Sequence, residues 1–321
     1  MQLGFSGFSV DDSIANQVRA EFALRRSAVI PNFLAPDLAT ELVKLLETAS
    51  GADRLYHTPD GKQFASDFAF SPASTPAVAL RLLMNDESLL SAMERATGKR
   101  SLASFAGHVC RHFPAREHFL DWHSDCEGTR MVGMSVNLSA RPYEGGRFRL
   151  RRKQSEQRRQ ELLADIHYTE IGWAHIFEID GDLEHCVTNI DGCEPRSAFA
   201  GWFRSTPDRA AFLGDLRPAE PGSADSGKEV KKSSADRLGR GRKAVFQEVD
   251  GEVIAICFAR ENVARLDPIA ADVWRHVVEC GSVAQAKGRL AVLYDVNREV
   301  LDADVDTVVA RLVDAGLLEP R

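Results

Sequence analysis

A break in the hydrophobic pattern restricts this fold more than any motif does. Between residues 217 and 243 the chain reads RPAEPGSADSGKEVKKSSADRLGRGRK. The stretch is full of Gly, Ser, Pro and charge, and neither the strand nor the helix period runs through it. It buries too little apolar surface to offset the entropy of ordering it. It therefore reads as a flexible linker, and the 321 residues divide into one large and one small unit. The expected boundaries are 1–205 for the first unit, 206–243 for the linker and 244–321 for the second. Lys231, Lys232, Arg237, Arg240, Arg242 and Lys243 suit either an acidic partner or a merely solvated tether.

The first unit changes period near residue 101. Before it, DDSIANQVRAEFALRRS (11–27), APDLATELVKLLETAS (35–50) and AVALRLLMNDESLLSAMERATG (77–98) repeat apolar residues at helical spacing. SAVIPNFL is a short strand stopped by proline, and the interval from His57 to Pro76 reads as a loop. After residue 101 come short β-rich runs: SLASFAGHVCRHF, TRMVGMSVNLS, GGRFRLR, AHIFEI, EHCVTNI and RSAFAGWFR. Turn residues separate them at near-regular spacing, which predicts a double-sheet barrel or jelly roll. RRKQSEQRRQELLADI (151–166) interrupts as a polar helical insertion. The second unit opens with a hairpin, AVFQEV-DGE-VIAICFA, and continues with three helices. Ser282 and Asp302 or Asp304 are the cap candidates of the last two. The whole is an α+β chain.

Composition excludes several classes. A net charge of −7 with no basic face argues against a nucleic-acid partner. No apolar run approaches the roughly 20 residues of a membrane span. The opening MQLGFSGFSVDDS lacks the basic and apolar regions of a signal peptide, so a cytoplasmic setting is the expectation. Six cysteines (Cys110, Cys126, Cys186, Cys193, Cys257 and Cys280) form no C-x-x-C pair and read as free, mostly buried thiols.

The chemistry concentrates at HFLDWHSDCEG. His123 and Asp125 stand two positions apart, so at a strand end both side chains project to one face. Two histidines and one carboxylate on one face of an octahedron leave three positions open, the arrangement of non-haem Fe(II) oxygenases. His185, in a later β-rich stretch, is the candidate third ligand. Arg196, on the next strand, has the planar fork that grips a carboxylate bidentately. An isolated H-x-D is otherwise a polar accident. His108, His112 and His118 crowd the approach to the motif; a second metal site or supporting roles remain open for them. His167 and His175 read as structural, and Trp122, Trp173 and Trp202 as core or pocket wall. Arg147 and Arg149 share one strand face, toward solvent or an acidic ligand.

Residues from about 18 to 204 resemble the Fe(II)/2-oxoglutarate-dependent dioxygenases, in their prolyl-hydroxylase-like branch. The resemblance rests on AVIPNFLAPDLATELVKLL, CRHFPAREHFLDWHSD, MSVNLSARPYEGGRFRL and GWAHIFEIDGDLEHCVTNIDGCEPRSAFAGWF. It implies a double-stranded β-helix (jelly roll, cupin-like) with supporting N-terminal helices. It further implies Fe(II) on His123, Asp125 and His185, with Arg196 anchoring the distal carboxylate of the cosubstrate 2-oxoglutarate. The chain departs from the family pattern twice. Ala198 stands where Arg-x-Ser would put serine, leaving Ser197 displaced by one, and His112 and Phe113 stand where a tyrosine is common. Ser197 and Asn137 are the candidate additional contacts to 2-oxoglutarate.

Residues 244–321 resemble the PqqD-like family, the precursor-peptide recognition element, through VDGEVIAICFARENVARLDPIAADVWRHV, SVAQAKGRLAVLYDV and DVDTVVARLVDAGLLE. This implies a small winged-helix-like unit that takes a leader peptide as an added strand. Its receiving edge would be near FARENVARL, with Arg260, Arg265 and Arg311 toward acidic leader residues. Together the units imply an oxygenase hydroxylating a side chain of a ribosomally made precursor peptide. The alternatives are a hydroxylase of a free amino acid or small molecule, with residues 244–321 forming a homodimer, and a catalytically silent peptide-binding adaptor.

Overall fold

One nine-residue strand, Arg196–Arg204, organises the first unit, because it pairs along its length on both sides. The computed structural model describes residues 1–58, 60–155, 159–207, 237–249 and 252–321. The chain divides into two units, Met1–Leu216 and Arg217–Arg321.

In the first unit we label the strands of the large antiparallel sheet β1 (Ser27–Ile30), β2 (Gly51–His57), β3 (Gln63–Phe70), β4 (Ser104–His112), β5 (Phe119–His123), β6 (Arg130–Asn137), β7 (Phe148–Arg152), β8 (Glu161–Ile166), β9 (Ala174–Glu178), β10 (Leu183–Val187) and β11 (Arg196–Arg204). Their order is β8-β7-β10-β5-β3-β4-β11-β6-β9-β1, with β2 beside β3. The two halves of this sheet face each other. Phe148 on β7 packs on Phe177 of β9, ring centroids 4.8 Å apart, although the strands lie near opposite ends of the order. Leu150, Leu183, Val187 and Ile179 join the same apolar cluster, so the sheet rolls into a nearly closed, jelly-roll-like barrel as the strand pattern predicts.

Four helices support it: α1 (Asp12–Arg25), α2 (Pro36–Leu46), α3 (Thr75–Met84) and α4 (Glu87–Thr97). Asp11 caps α1 by accepting from the Ile14 amide at 3.1 Å, and Pro36 starts α2 where no amide is needed. Leu38, Leu42, Leu45 and Leu46 form the buried stripe of α2. The single helix expected over 77–98 is two, because Asp86 accepts from the amides of Ser88 and Leu89 and starts a new helix. Glu178, buried at the end of β9, pairs with Arg26 at 2.7 Å and Lys99 at 2.6 Å, tying α1 and α4 to the barrel.

Two sequence expectations are corrected here. The interval from His57 to Pro76 is no loop: β3 lies between β5 and β4 and forms a hairpin with β2. Its Ala, Ser and Asp residues weaken the apolar alternation, and its place in the sheet is set by neighbours remote in sequence. The segment 151–166 is no helical insertion, since Glu161–Ile166 forms β8, antiparallel to β7 at the sheet edge. Polar residues are expected on an edge strand, which mimics a solvated helix in composition.

The second unit has a three-stranded sheet of β13 (Ala244–Val249), β14 (Glu252–Cys257) and β15 (Asn262–Leu266). It also has α5 (Pro268–Cys280), α6 (Val283–Leu293) and α7 (Arg298–Asp314). Val253, Ala255, Leu266, Val273, Val277, Leu290, Val305, Val309 and Leu312 make its core. Ser282 caps α6 as expected, whereas α7 starts earlier than expected, capped by Asn297. Most of the segment read as a linker lies outside the described residues. Its end does not behave as one: β12 (Leu238–Arg240) pairs with β16 (Leu318–Pro320), and Leu238 is fully buried. Among the described residues no helix is long and apolar enough to cross a membrane.

Candidate metal centre

His123 ends β5 and His185 sits mid-way along β10, and the two are direct partners in the antiparallel register. Their rings lie 4.2 Å apart between centroids. Asp125, just past β5, completes the group. His123 Nε2 is 3.6 Å from Asp125 Oδ1, and His185 Nε2 is 3.6 Å from Oδ2. One ligand atom from each of the three falls within 4.8 Å of the others. The structure therefore brings the whole predicted triad together.

Neighbouring groups fix how these atoms point. His123 Nδ1 lies 2.8 Å from the Asp121 carbonyl oxygen; as the donor there it leaves its Nε2 lone pair toward the centre. The Trp202 indole on β11 donates to Asp125 Oδ2 at 2.6 Å, and Arg130 stacks 3.9 Å over that indole with Nη1 3.6 Å from Asp125 Oδ1. Phe177 packs on the His185 ring at 4.5 Å and Phe64 on His123 at 4.9 Å. Burial opposes ionisation of Asp125, but His123, His185 and the Trp202 donor outweigh it and hold the carboxyl below its usual range. Burial, with His123 beside it, pushes His185 down to about 3, so its imidazole is neutral. A carboxylate and a neutral imidazole are donor states that a divalent cation takes.

The triad opens on a cavity of about 790 Å³ whose walls include Phe64, Trp122, Ser135, His175 and Arg196. Arg196 is 7% exposed. Its Nη2 donates to Ser135 Oγ at 3.2 Å, and it forms no ion pair among the described residues. Burial disfavours its charge, but Tyr143, Cys110 and Tyr168 raise its pKa, so it remains a cation. Opposite it in register, His112 is pushed down to about 3 by burial and by Arg196. A buried cation without a carboxylate partner requires an anion. His175 Nδ1 meets the Tyr168 hydroxyl at 2.9 Å, while its buried Nε2 has no hydrogen-bond partner. The donor set thus fits both an octahedral metal and an acidic ligand beside it.

Two sequence-predicted contacts do not reach this cavity. Ser197 alternates to the outer side of β11, where Arg111 Nε donates to its hydroxyl at 2.8 Å. Asn137 donates to the Glu170 carbonyl and accepts from the Ser139 amide and hydroxyl, bracing the chain after β6. Ser135, two positions earlier on the same strand, is the residue that meets Arg196. Tyr143 and Tyr168 lie close enough to act on the Arg196 guanidinium. Only loops carry them, so strand alternation could not reveal them. His175, read as structural, lines the cavity, and Trp122 and Trp202 are pocket walls as expected. Arg147 and Arg149 both pair with Asp165, at 2.7 and 3.3 Å, on the outer face. All six cysteines are free, but Cys126 and Cys193 are exposed.

Residues 252–318 match the family model described as coenzyme PQQ synthesis protein D (PqqD). The second unit carries a PqqD domain. No curated protein matches the chain. Among solved structures, a 2OG-Fe(II) oxygenase-family oxidoreductase from Burkholderia pseudomallei is 12% identical with a TM-score of 0.45, covering 64% of this chain and 96% of that one. A prolyl-4-hydroxylase from Pseudomonas putida is 20% identical with a TM-score of 0.43, covering 60% and 100%. TbiB1 in complex with the TbiA(beta) leader peptide is 19% identical with a TM-score of 0.25, covering 26% and 96%.

Proposed function

We propose that the protein is an Fe(II)- and 2-oxoglutarate-dependent oxygenase that hydroxylates a side chain of a ribosomally made precursor peptide, held through its leader by the PqqD domain. The observation that carries the enzymatic half is the convergence of His123, Asp125 and His185 in a cavity that also holds the unpaired cation Arg196. His123 Nε2, His185 Nε2 and an Asp125 oxygen would hold the metal. Arg196, with Ser135 and Tyr143, would hold the far carboxylate of the cosubstrate. Iron with 2-oxoglutarate supplies oxidative hydroxylation, in which dioxygen is consumed and the cosubstrate leaves as succinate and carbon dioxide.

The chain's own residues orient and enclose. The Asp121 carbonyl and Trp202 aim two of the ligands, and Phe64, Phe177 and Phe148 keep water from the imidazoles. In the second unit β15 pairs with β14 alone among the described strands, so it offers an edge for an added strand. Arg260, Arg265 and Arg311 are exposed, as contacts to an acidic leader require, whereas Leu266, Val309 and Leu312 belong to the core. Joining both units in one chain raises the effective concentration of the core peptide at the metal.

The test is succinate release by the full chain. We expect release to need both Fe(II) and a precursor peptide from the protein's own genomic neighbourhood, and excess free leader to inhibit it competitively. Release on free amino acids, untouched by leader, would retain the oxygenase and reject peptide recruitment. No release with any peptide, and none uncoupled from substrate, would reject the oxygenase.

A further inference from the structure

The same cavity holds a second group of ligand-type side chains, and the oxygenase reading uses none of them. Asp67 on β3 and His108 and Cys110 on β4 each present one ligand atom, all within 4.8 Å of one another. The two strands are antiparallel neighbours, with Ala69 opposite Cys110, and positions two apart on each share the inner face. All three residues line the cavity, on the β3–β4 wall and not on the β5–β10 pair that carries the triad.

The group has donor atoms to spare. The Asp67 side chain is 7% exposed and its Oδ1 pairs with Arg54 Nε at 3.8 Å, too far for a hydrogen bond, so that this buried oxygen accepts none. Its Oδ2 accepts from Tyr56 at 2.9 Å and lies 3.5 Å from His108 Nε2. The Tyr56 hydroxyl, 3.2 Å from His108 Nε2, brings a further oxygen to the same place. Cys110 contributes a buried free thiol. Sulfur, imidazole nitrogen and carboxylate oxygen together form a donor set that selects borderline-soft divalent ions over magnesium or calcium.

We propose that Asp67, His108 and Cys110 form a second metal site, distinct from the triad, for a divalent ion of the zinc class. On binding, the Cys110 thiol releases its proton to solvent, and the thiolate and the Asp67 carboxylate balance the two positive charges. No electron transfer is involved. The site accounts for His108, which crowds the motif in sequence and has no part in holding iron or cosubstrate.

Cobalt(II) alone is the probe, added to metal-free, reduced full-length protein without oxygen. The triad contains no sulfur, so a thiolate-to-cobalt charge-transfer band in the near ultraviolet reports only a cysteine site. We expect the band to appear within two equivalents in the wild type, where the triad also takes cobalt, and to saturate at one in His123→Ala; it should survive in Cys126→Ser, disappear in Cys110→Ser, and be bleached by zinc. His108→Gln keeps the thiol and should weaken cobalt binding at least tenfold. Absence of the band in the wild type, its persistence in Cys110→Ser, or unchanged affinity in His108→Gln would each overturn the site. Should Cys110→Ser not fold, His108→Gln and Asp67→Asn decide the matter by affinity. A failed band leaves the oxygenase reading intact, since succinate release is measured separately.

Discussion

Trp202 shows how one residue outside the ligand set can control it. Its indole N–H takes up one lone pair of Asp125 Oδ2, which orients the carboxylate. Trp202→Phe keeps the ring and removes the donor. Fe(II) affinity, measured by anaerobic titration, should fall about 10–100-fold with the fold intact. Arg196 calls for a different substitution. Arg196→Lys keeps the charge but loses the fork, so the KM for 2-oxoglutarate should rise roughly 30-fold, or about 2 kcal/mol, with a smaller change in kcat. His123, Asp125, His185 and Arg196 stood out in the sequence as candidates by residue type and spacing, and the structure brings all four to one cavity. Ser197 and Asn137 misled because polar residues beside a motif look alike until the register says which face each one occupies.

At the scale of elements, the pairing of β6 with β9 holds His185 in place. Gly133 and Phe177 are opposite each other in register, and Phe177 lies over both the glycine and the His185 ring. A Cβ at position 133 would collide with the Phe177 ring. Gly133→Ala should therefore destabilise the first unit by about 1–3 kcal/mol in urea unfolding and weaken Fe(II) binding by displacing His185's packing partner. Helices were the elements most legible from sequence, since their caps and apolar stripes are local. The β2–β3 hairpin and β8 were not. Neither β3 nor β8 shows an unbroken apolar alternation, and their strand character comes from their neighbours in the sheet.

For the whole molecule, the buried histidines give the first unit a defined response to acid. Burial and the Arg196 charge push His112 down to about 3 and lower His175 well below its ordinary value. Their unfolded counterparts take up protons near 6.5. Between those values the unfolded chain binds more protons than the folded one, so stability rises with pH. It should be complete above about 6.5 and decline as pH falls toward 3; the urea midpoint should be lower at pH 5 than at pH 7.5. The sequence by itself determined the division into two units, the strand-rich character of the first, the candidate residues His123, Asp125 and His185 that the structure brings together, and the resemblance of the second to PqqD. The first two follow from composition and period along the chain, and the last two from resemblances carried by short runs of residues. Only the tertiary structure decided that β3 enters the middle of the sheet, that Leu238–Arg240 belongs to the second unit, and that Ser135, Tyr143, Tyr168 and Trp202 attend the site. It alone brought Asp67 to His108 and Cys110. Those placements depend on which strand lies beside which, and pairing between remote segments leaves no periodic trace in either one.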